Sequence, residues 1–181
     1  MMVLREANER FPHHDLVQWA AICHDLGKAL TNKEKWPSHH GHAVLGLKPT
    51  VTLLEKFGVT DFETVNCVKF ITEFHMHVHD VYKMKASTFV NIFRKAVLIT
   101  YPKGDHLSLL ISLACLGECD HYGRGGVDLN STYTNPATML KIFYKIDEIA
   151  NPYDWNVFDD KNWNKVTNQL TKMFSQLKEE A

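Results

Sequence analysis

A chain of 181 residues, 45% hydrophobic and 23% charged, has the make-up of an ordinary globular protein able to bury one substantial core. Its net charge of −1 excludes the broad basic face of a general nucleic-acid or membrane-surface binder, so any RNA contact has to be local. No apolar stretch reaches bilayer length, and the Met1-Met2 start carries no signal-peptide pattern.

Residues 1–10 read as a helix entered part-way. Asp15-Leu16-Val17-Gln18 is a capping-box-like start, with Leu16, Trp19, Ala20 and Cys23 as the apolar stripe behind it. A helix is predicted from His39 to Lys56, stopped by Gly58 and kinked or interrupted at Pro49. Asp61 caps the next, which runs to about His75 with Phe62, Val65, Val68 and Ile71 or Phe74 inward. Ser87 caps another through Phe89, Ile92 and Phe93, and Asp105 starts one over Leu107 to Asp120. That last helix is apolar almost all round and is expected to be buried.

The main loop, Gly123 to Asn135, ends in Asn135-Pro136, a cap with proline at the first helical position, which predicts a helix over Ala137 to Ile149. A loop with Asn151-Pro152 leads to a final helix from about Asp160 to Glu180. Its stripe of Trp163, Val166, Leu170, Phe174 and Leu177 reads as core packing, with a partner-binding face as the sharper alternative. Cys23, Cys67, Cys115 and Cys119 all fall in predicted helices and read as small core residues, so a reducing, cytoplasmic setting is expected. The reading is an all-α helical bundle forming one domain over 1–181.

The chemistry concentrates in Cys23-His24-Asp25-Leu26-Gly27-Lys28. An imidazole and a carboxylate from adjacent residues point about 100° apart within a regular helix; where a helix ends, both can reach one cation. Gly27 is expected to let the backbone turn away and leave room for a ligand, and Lys28 puts a mobile positive charge beside it, suited to a phosphate oxygen. An N-capping Asp beside a half-buried His is the plainer alternative. The company of Lys28, a run of histidines and a distant Asp120 favours a metal-dependent phosphate site.

Asp120 ends the buried helix, where a carboxylate must be paired or must bind a cation. Of the eleven histidines, His39, His40 and His42 lie at a predicted helix start, and His75, His77 and His79 lie after a predicted helix end. An extended segment would put all three of the latter on one face; helical spacing would pair only His75 with His79. Neutral imidazole can ligate a second metal, and the protonated form can neutralise phosphate or protonate a leaving oxygen. His39 reads equally well as a helix-start residue and His77 as a solvent-facing one. Arg124, between glycines in Gly123-Arg124-Gly125-Gly126, is the best candidate for a phosphate clamp beside Lys28, against the alternative of a solvated loop arginine. His13, His14 and His106 fall in predicted loops or caps and receive no role.

His-Asp-Leu-Gly-Lys resembles the core motif of the HD-domain metal-dependent phosphohydrolases. Cys23 to Lys28, Leu30-Thr31, Trp36-Pro37, His39-His40-Gly41-His42, Glu73-Phe74-His75 with His79, and Asp120 with Gly123-Arg124 are similar, in order and spacing, to the HD domain of bacterial CCA-adding tRNA nucleotidyltransferases. The likeness covers about residues 1–126; 136–181 reads as a helical extension, and no nucleotidyltransferase head domain is present in these residues.

The resemblance implies a divalent metal (Mn, Ni, Co or Mg) held by His24, Asp25 and Asp120. It makes His42, His75 and His79 pocket histidines. A phosphohydrolase of nucleotides or RNA ends follows, of the 2′,3′-cyclic phosphodiesterase, nucleotidase or phosphatase type, with tRNA as a further partner. HD enzymes usually add a ligand from an upstream His, whose place here falls at or before Met1. The other expectations are a catalytically silent module binding a nucleotide or tRNA end, and a small partner protein built on the last helix.

Overall fold

Every regular element among the described residues is helical; the computed structural model describes residues 2–150 and 159–179. In chain order the α-helices are α1 Met2–Arg10, α2 Asp15–Cys23, α3 His42–Leu45, α4 Leu47–Lys56, α5 Phe62–His79, α6 Ala86–Thr100, α7 His106–Tyr122, α8 Asn135–Ala150 and α9 Asp160–Glu179. Two 3₁₀ turns, Leu26–Leu30 and Lys33–Lys35, lie between α2 and α3. No described helix is long and apolar enough to cross a membrane. The chain divides into two compact units, one of residues 1–76 and 115–133, the other of 77–114 and 134–181.

In the first unit, Cys23, Leu54 and Val68 form a fully buried centre, and Leu16, Trp19, Ile22, Leu53 and Val65 pack against it. Helix α2 starts from His14, whose carbonyl receives the backbone N–H groups of Val17 and Gln18, and no side chain caps it. The capping box predicted at Asp15 therefore does not form. Asp61 does cap α5, accepting the Thr64 N–H at 2.8 Å. That helix then runs one turn beyond the predicted end, and Phe62 stays 83% exposed where an inward position was expected.

The helix predicted across 39–56 breaks at Gly46. Pro49 lies in the first turn of α4, where its missing N–H costs nothing. The backbone at the break is closely packed. A Cβ on Gly27 would stand 1.9 Å from the His42 carbonyl oxygen and 2.5 Å from the Gly46 nitrogen. Gly27 thus admits the backbone of α3 and has no positive φ. The room left by its missing side chain is taken by backbone and not by a ligand: it lets the helix carrying His42 press against the turn that follows His24 and Asp25.

Helix α1 is held against the end of α7 by charge. Glu6 is buried and accepts hydrogen bonds from Arg10 Nε (3.1 Å) and Arg5 (3.3 Å). Arg10 also donates to Glu118 at 2.8 Å and lies over the Tyr122 ring.

The second unit is built on aromatic contacts. Phe89 and Phe93 of α6 meet Phe143 of α8 edge-on or tilted, and Phe93 also meets Trp163 of α9. Trp163, Val166, Leu170 and Leu177 are buried, so the apolar stripe of α9 is core and not a free partner-binding face. Helices α8 and α9, within the stretch 136–181 set apart in the sequence as an extension, share this core with α6. Ser87 lies within the first turn of α6 and makes no cap; Lys85 is the cap residue. The Asn135 side chain donates to the carbonyls of Val78 and His79 at 3.1 and 2.9 Å, tying the end of α5 to the start of α8. His106, predicted in a loop or cap, opens α7, is buried, and pairs with Asp147 at 2.8 Å. The predicted Asn151-Pro152 loop lies outside the described residues.

Candidate metal centre

Three helix ends and one short helix deliver the polar cluster of the first unit. Helix α2 stops at Cys23, making His24 its cap residue and leaving Asp25 outside helical geometry. That release allows both side chains to converge. His24 Nε2 lies 3.3 Å from Asp25 Oδ2 and 3.7 Å from Asp120 Oδ1, which the C-terminal part of α7 contributes. His42, first residue of α3, places Nε2 3.3 Å from Asp25 Oδ1 and 3.1 Å from His75 Nε2 on α5. Asp25, His42 and His75 each present a ligand atom within 4.8 Å of the others.

The three rings share one hydrogen-bond pattern. Nδ1 of His24, His42 and His75 meets the carbonyl three residues earlier, at Ala21 (3.1 Å), His39 (3.0 Å) and Thr72 (2.7 Å). A carbonyl only accepts, so each Nδ1 carries the hydrogen and each neutral ring turns a lone pair outward at Nε2. His42 and His75 therefore oppose two lone pairs at 3.1 Å. His24 Nε2 is buried and makes no well-aligned hydrogen bond.

Electrostatics sharpens the same contrast. Burial works against charge on His24, but the Asp120 and Asp25 carboxylates overcome it and raise its pKa to about 9. Burial and the positive charge of His24 push His75 down to about 3, and burial lowers His42 as well. Burial would raise Asp25, yet His24 and Lys28 hold it well below the usual carboxylate range. In the metal-free cluster the two carboxylates favour charge on His24, while burial disfavours it on His42 and His75. A divalent cation fits this donor set. It would relieve the opposed lone pairs and satisfy the buried Nε2, and imidazole with carboxylate suits first-row divalent ions.

The sequence-predicted residues are distributed as follows. His24, Asp25, His42, His75, Asp120, Lys28 and Arg124 all lie in the first unit and form one linked cluster. His79 shares the helical face of His75 one turn on, since this segment is helical and not extended, but it belongs to the second unit. Lys28 and Arg124 are already engaged. Lys28 Nζ is 2.7 Å from Asp25 Oδ2, and Arg124 is 2.7 Å from Asp120 Oδ2. Arg124 is an exposed loop arginine that is also paired with Asp120, so it is not a freely presented clamp. Beside His24, Asp25 and Lys28 opens a pocket of about 510 Å³ whose other walls are apolar, including Met2, Leu4, Ile22 and Leu26.

Sequence reasoning left Thr31 without a role and His39 undecided. Thr31 Oγ1 bonds the Lys28 carbonyl and the His39 ring, and the His39 carbonyl holds His42. A motif of adjacent residue types carries no signal for such a relay.

The HD domain family matches residues 1–96. This chain is an HD-domain protein. The family is one of metal-dependent phosphohydrolases, and the match contains His24, Asp25, His42 and His75. Curated relatives include the "Multifunctional CCA protein" of Pseudoalteromonas atlantica, 37% identical over 83% of this chain and 36% of its own length. Proteins of the same name from Haemophilus influenzae (36% identical, 95% of this chain, 40% of the relative) and Pasteurella multocida (36%, 62% and 25%) also match. The chain therefore spans two-fifths or less of these relatives. No solved structure matches.

Proposed function

We propose that this HD-domain protein is a metal-dependent phosphohydrolase acting on phosphomonoesters or cyclic phosphodiesters of nucleotides or RNA ends. The observation that carries the reading is the convergence of Asp25, His42 and His75, whose ligand atoms lie within 4.8 Å of one another, with His24 Nε2 beside them at 3.3 Å from Asp25 and 3.7 Å from Asp120. His24, Asp25 and Asp120 would hold a divalent cation, with His42 and His75 as the remaining imidazole donors. When bound, the cation supplies Lewis acidity and a water of lowered pKa.

The chain's own residues do the rest. The apolar pocket beside Asp25 takes the nucleoside part and excludes water around the phosphate. Lys28 and Arg124, held at the rim of the cluster by Asp25 and Asp120, supply positive charge for the developing anion. Whichever of His42 and His75 does not coordinate the cation would orient the leaving oxygen through Nε2. The likeness to CCA proteins makes a tRNA end a natural substrate of this class. 2′,3′-Cyclic phosphodiesterase, nucleotidase and phosphatase activities are the three to assay.

One observation favours a second reading. Both cations meant for phosphate are paired with the carboxylates meant for metal, as in a module that binds a nucleotide without turning it over. A screen of 2′,3′-cyclic nucleotides, nucleoside monophosphates and tRNA with added Mn, Ni, Co or Mg separates the two. Turnover lost in Asp25→Ala supports the enzyme; thermal stabilisation by nucleotide with no product supports the module.

A further inference from the structure

The three histidines obey one rule, but only two obtain it from a helix. His24 and His75 bond carbonyls three residues back, at the end of α2 and inside α5. His42 opens α3, so its carbonyl partner, His39, lies in a loop that no helix fixes. That loop is locked in another way. His39 has φ +49°, the left-handed region that residues with a side chain avoid unless their surroundings impose it.

The surroundings that impose it are on one short stretch of chain. Thr31 Oγ1 donates to the Lys28 carbonyl at 2.8 Å, so its lone pairs face His39 and receive the Nδ1 hydrogen at 2.6 Å. The Trp36 ring stands beside the His39 ring, and the His39 N–H bonds the Lys35 carbonyl at 2.7 Å. The outcome is a carbonyl aimed at α3, accepting both the backbone N–H and the ring Nδ1–H of His42 at 3.0 Å.

We propose that Thr31 and His39 are positioning residues whose side-chain hydrogen bond locks the His39 carbonyl in place and thereby sets the orientation and tautomer of His42 for metal binding. The inference rests on the metal reading of the cluster. Neither residue is a ligand. The lock also links the Lys28 turn to His42, so the pieces of the cluster nearest Asp25 are set as one.

The test is Co(II) titration of the full chain, followed calorimetrically and by the visible absorption of the bound ion, for wild type, Thr31→Val and Thr31→Ser. Outer partners of metal ligands change affinity by about 10–100-fold, so Thr31→Val is expected to weaken binding at least about 10-fold and to shift the visible band. Thr31→Ser, which keeps the hydroxyl, restores both. His39→Gly relieves the left-handed backbone, so it retains the fold while losing the ring that Thr31 holds, and the same weakening is expected. Wild-type affinity and spectrum in Thr31→Val and His39→Gly would overturn the lock while leaving the metal reading intact. A wild-type chain that binds no Co(II) overturns the metal reading and the lock with it.

Discussion

His42 and His75 oppose each other Nε2 to Nε2 at 3.1 Å, each with its other ring nitrogen committed to a backbone carbonyl. In a metal-free protein one of the pair must take up a proton to make that approach favourable, yet burial lowers the pKa of both. The arrangement stores a preference for a cation. His75→Ala is expected to weaken divalent-metal binding by more than the roughly 10–100-fold typical of outer partners, with the helical circular dichroism signal retained. Unchanged affinity in that variant would remove His75 from the donor set.

Metal affinity should rise with pH. His24 carries a proton below about pH 9 because Asp120 and Asp25 raise its pKa against burial, and a ligating imidazole must be neutral. Below that pH, binding displaces this proton; above it, no proton remains to displace. Titrations in buffers of differing ionisation enthalpy are expected to report release of about one proton near neutrality and almost none above about pH 9. A release that does not change across this range means His24 is not among the ligands.

Asp25 joins three members of the cluster, touching His24, His42 and Lys28. Asp25→Ala should abolish both stoichiometric metal and any hydrolysis. The fold should survive, because Asp25 is partly exposed and Lys28 can turn to solvent. Retained turnover in this variant would sink the assignment of the reaction.

Much of this was legible in the sequence for a physical reason. Helical periodicity reports burial, so Val68, Ile71, Phe89, Phe93 and Leu170 fall in the core as the pattern predicts. A His-Asp pair followed by Lys28 marks chemistry because such groups are costly to bring together without use. The misreadings share a different origin. The helix predicted over 39–56 divides at Gly46, and Gly27 has no room for a side chain because its backbone meets that of His42 and Gly46. That contact joins residues far apart in the chain, and local pattern cannot report it. Asn135 illustrates the same limit: its amide goes to carbonyls 78 and 79, some 56 residues away. The charge of Lys28 and Arg124 marks them as phosphate-facing groups, but the local sequence carries no sign that each also pairs with a carboxylate of the cluster.

Glycine substitutions separate close approach from backbone conformation. Gly27→Ala forces a methyl into the His42 carbonyl and the Gly46 nitrogen. Overpacking costs about 1–3 kcal/mol, occasionally more, and backbone atoms cannot rotate aside. A loss at or above the top of that range is expected by urea denaturation. Gly41→Ala meets nothing but sits at φ +84°, so about 1–2 kcal/mol is expected. Gly125→Ala has open space and no such φ; it should be within about 0.5 kcal/mol of wild type.

Acid should loosen the first unit through Glu6. Burial works to raise its pKa, but hydrogen bonds and charge from Arg10 and Arg5 outweigh burial and hold it below its ordinary value. A depressed carboxylate pKa adds stability that is complete above the unfolded value of roughly 4.3 and is lost as pH falls through the folded value. Wild-type urea midpoints should therefore drop as pH falls below about 4, and Glu6→Gln, with nothing to protonate, should show a shallower decline from a lower plateau. Parallel declines for the two proteins would place the acid sensitivity elsewhere.

The last helix offers a test within the second unit. Leu170 is fully buried on the stripe that also carries Trp163 and Val166, and deleting such a side chain costs about 2–5 kcal/mol, transfer and cavity together. Leu170→Ala should lower the unfolding midpoint accordingly without altering the sedimentation behaviour of the native protein. If α9 served instead to recruit a partner, the same substitution would leave the isolated chain's stability near wild type, because an exposed leucine contributes little to folding. Urea denaturation of the two proteins, read beside their sedimentation velocity, distinguishes a helix that completes a core from one that waits for a partner.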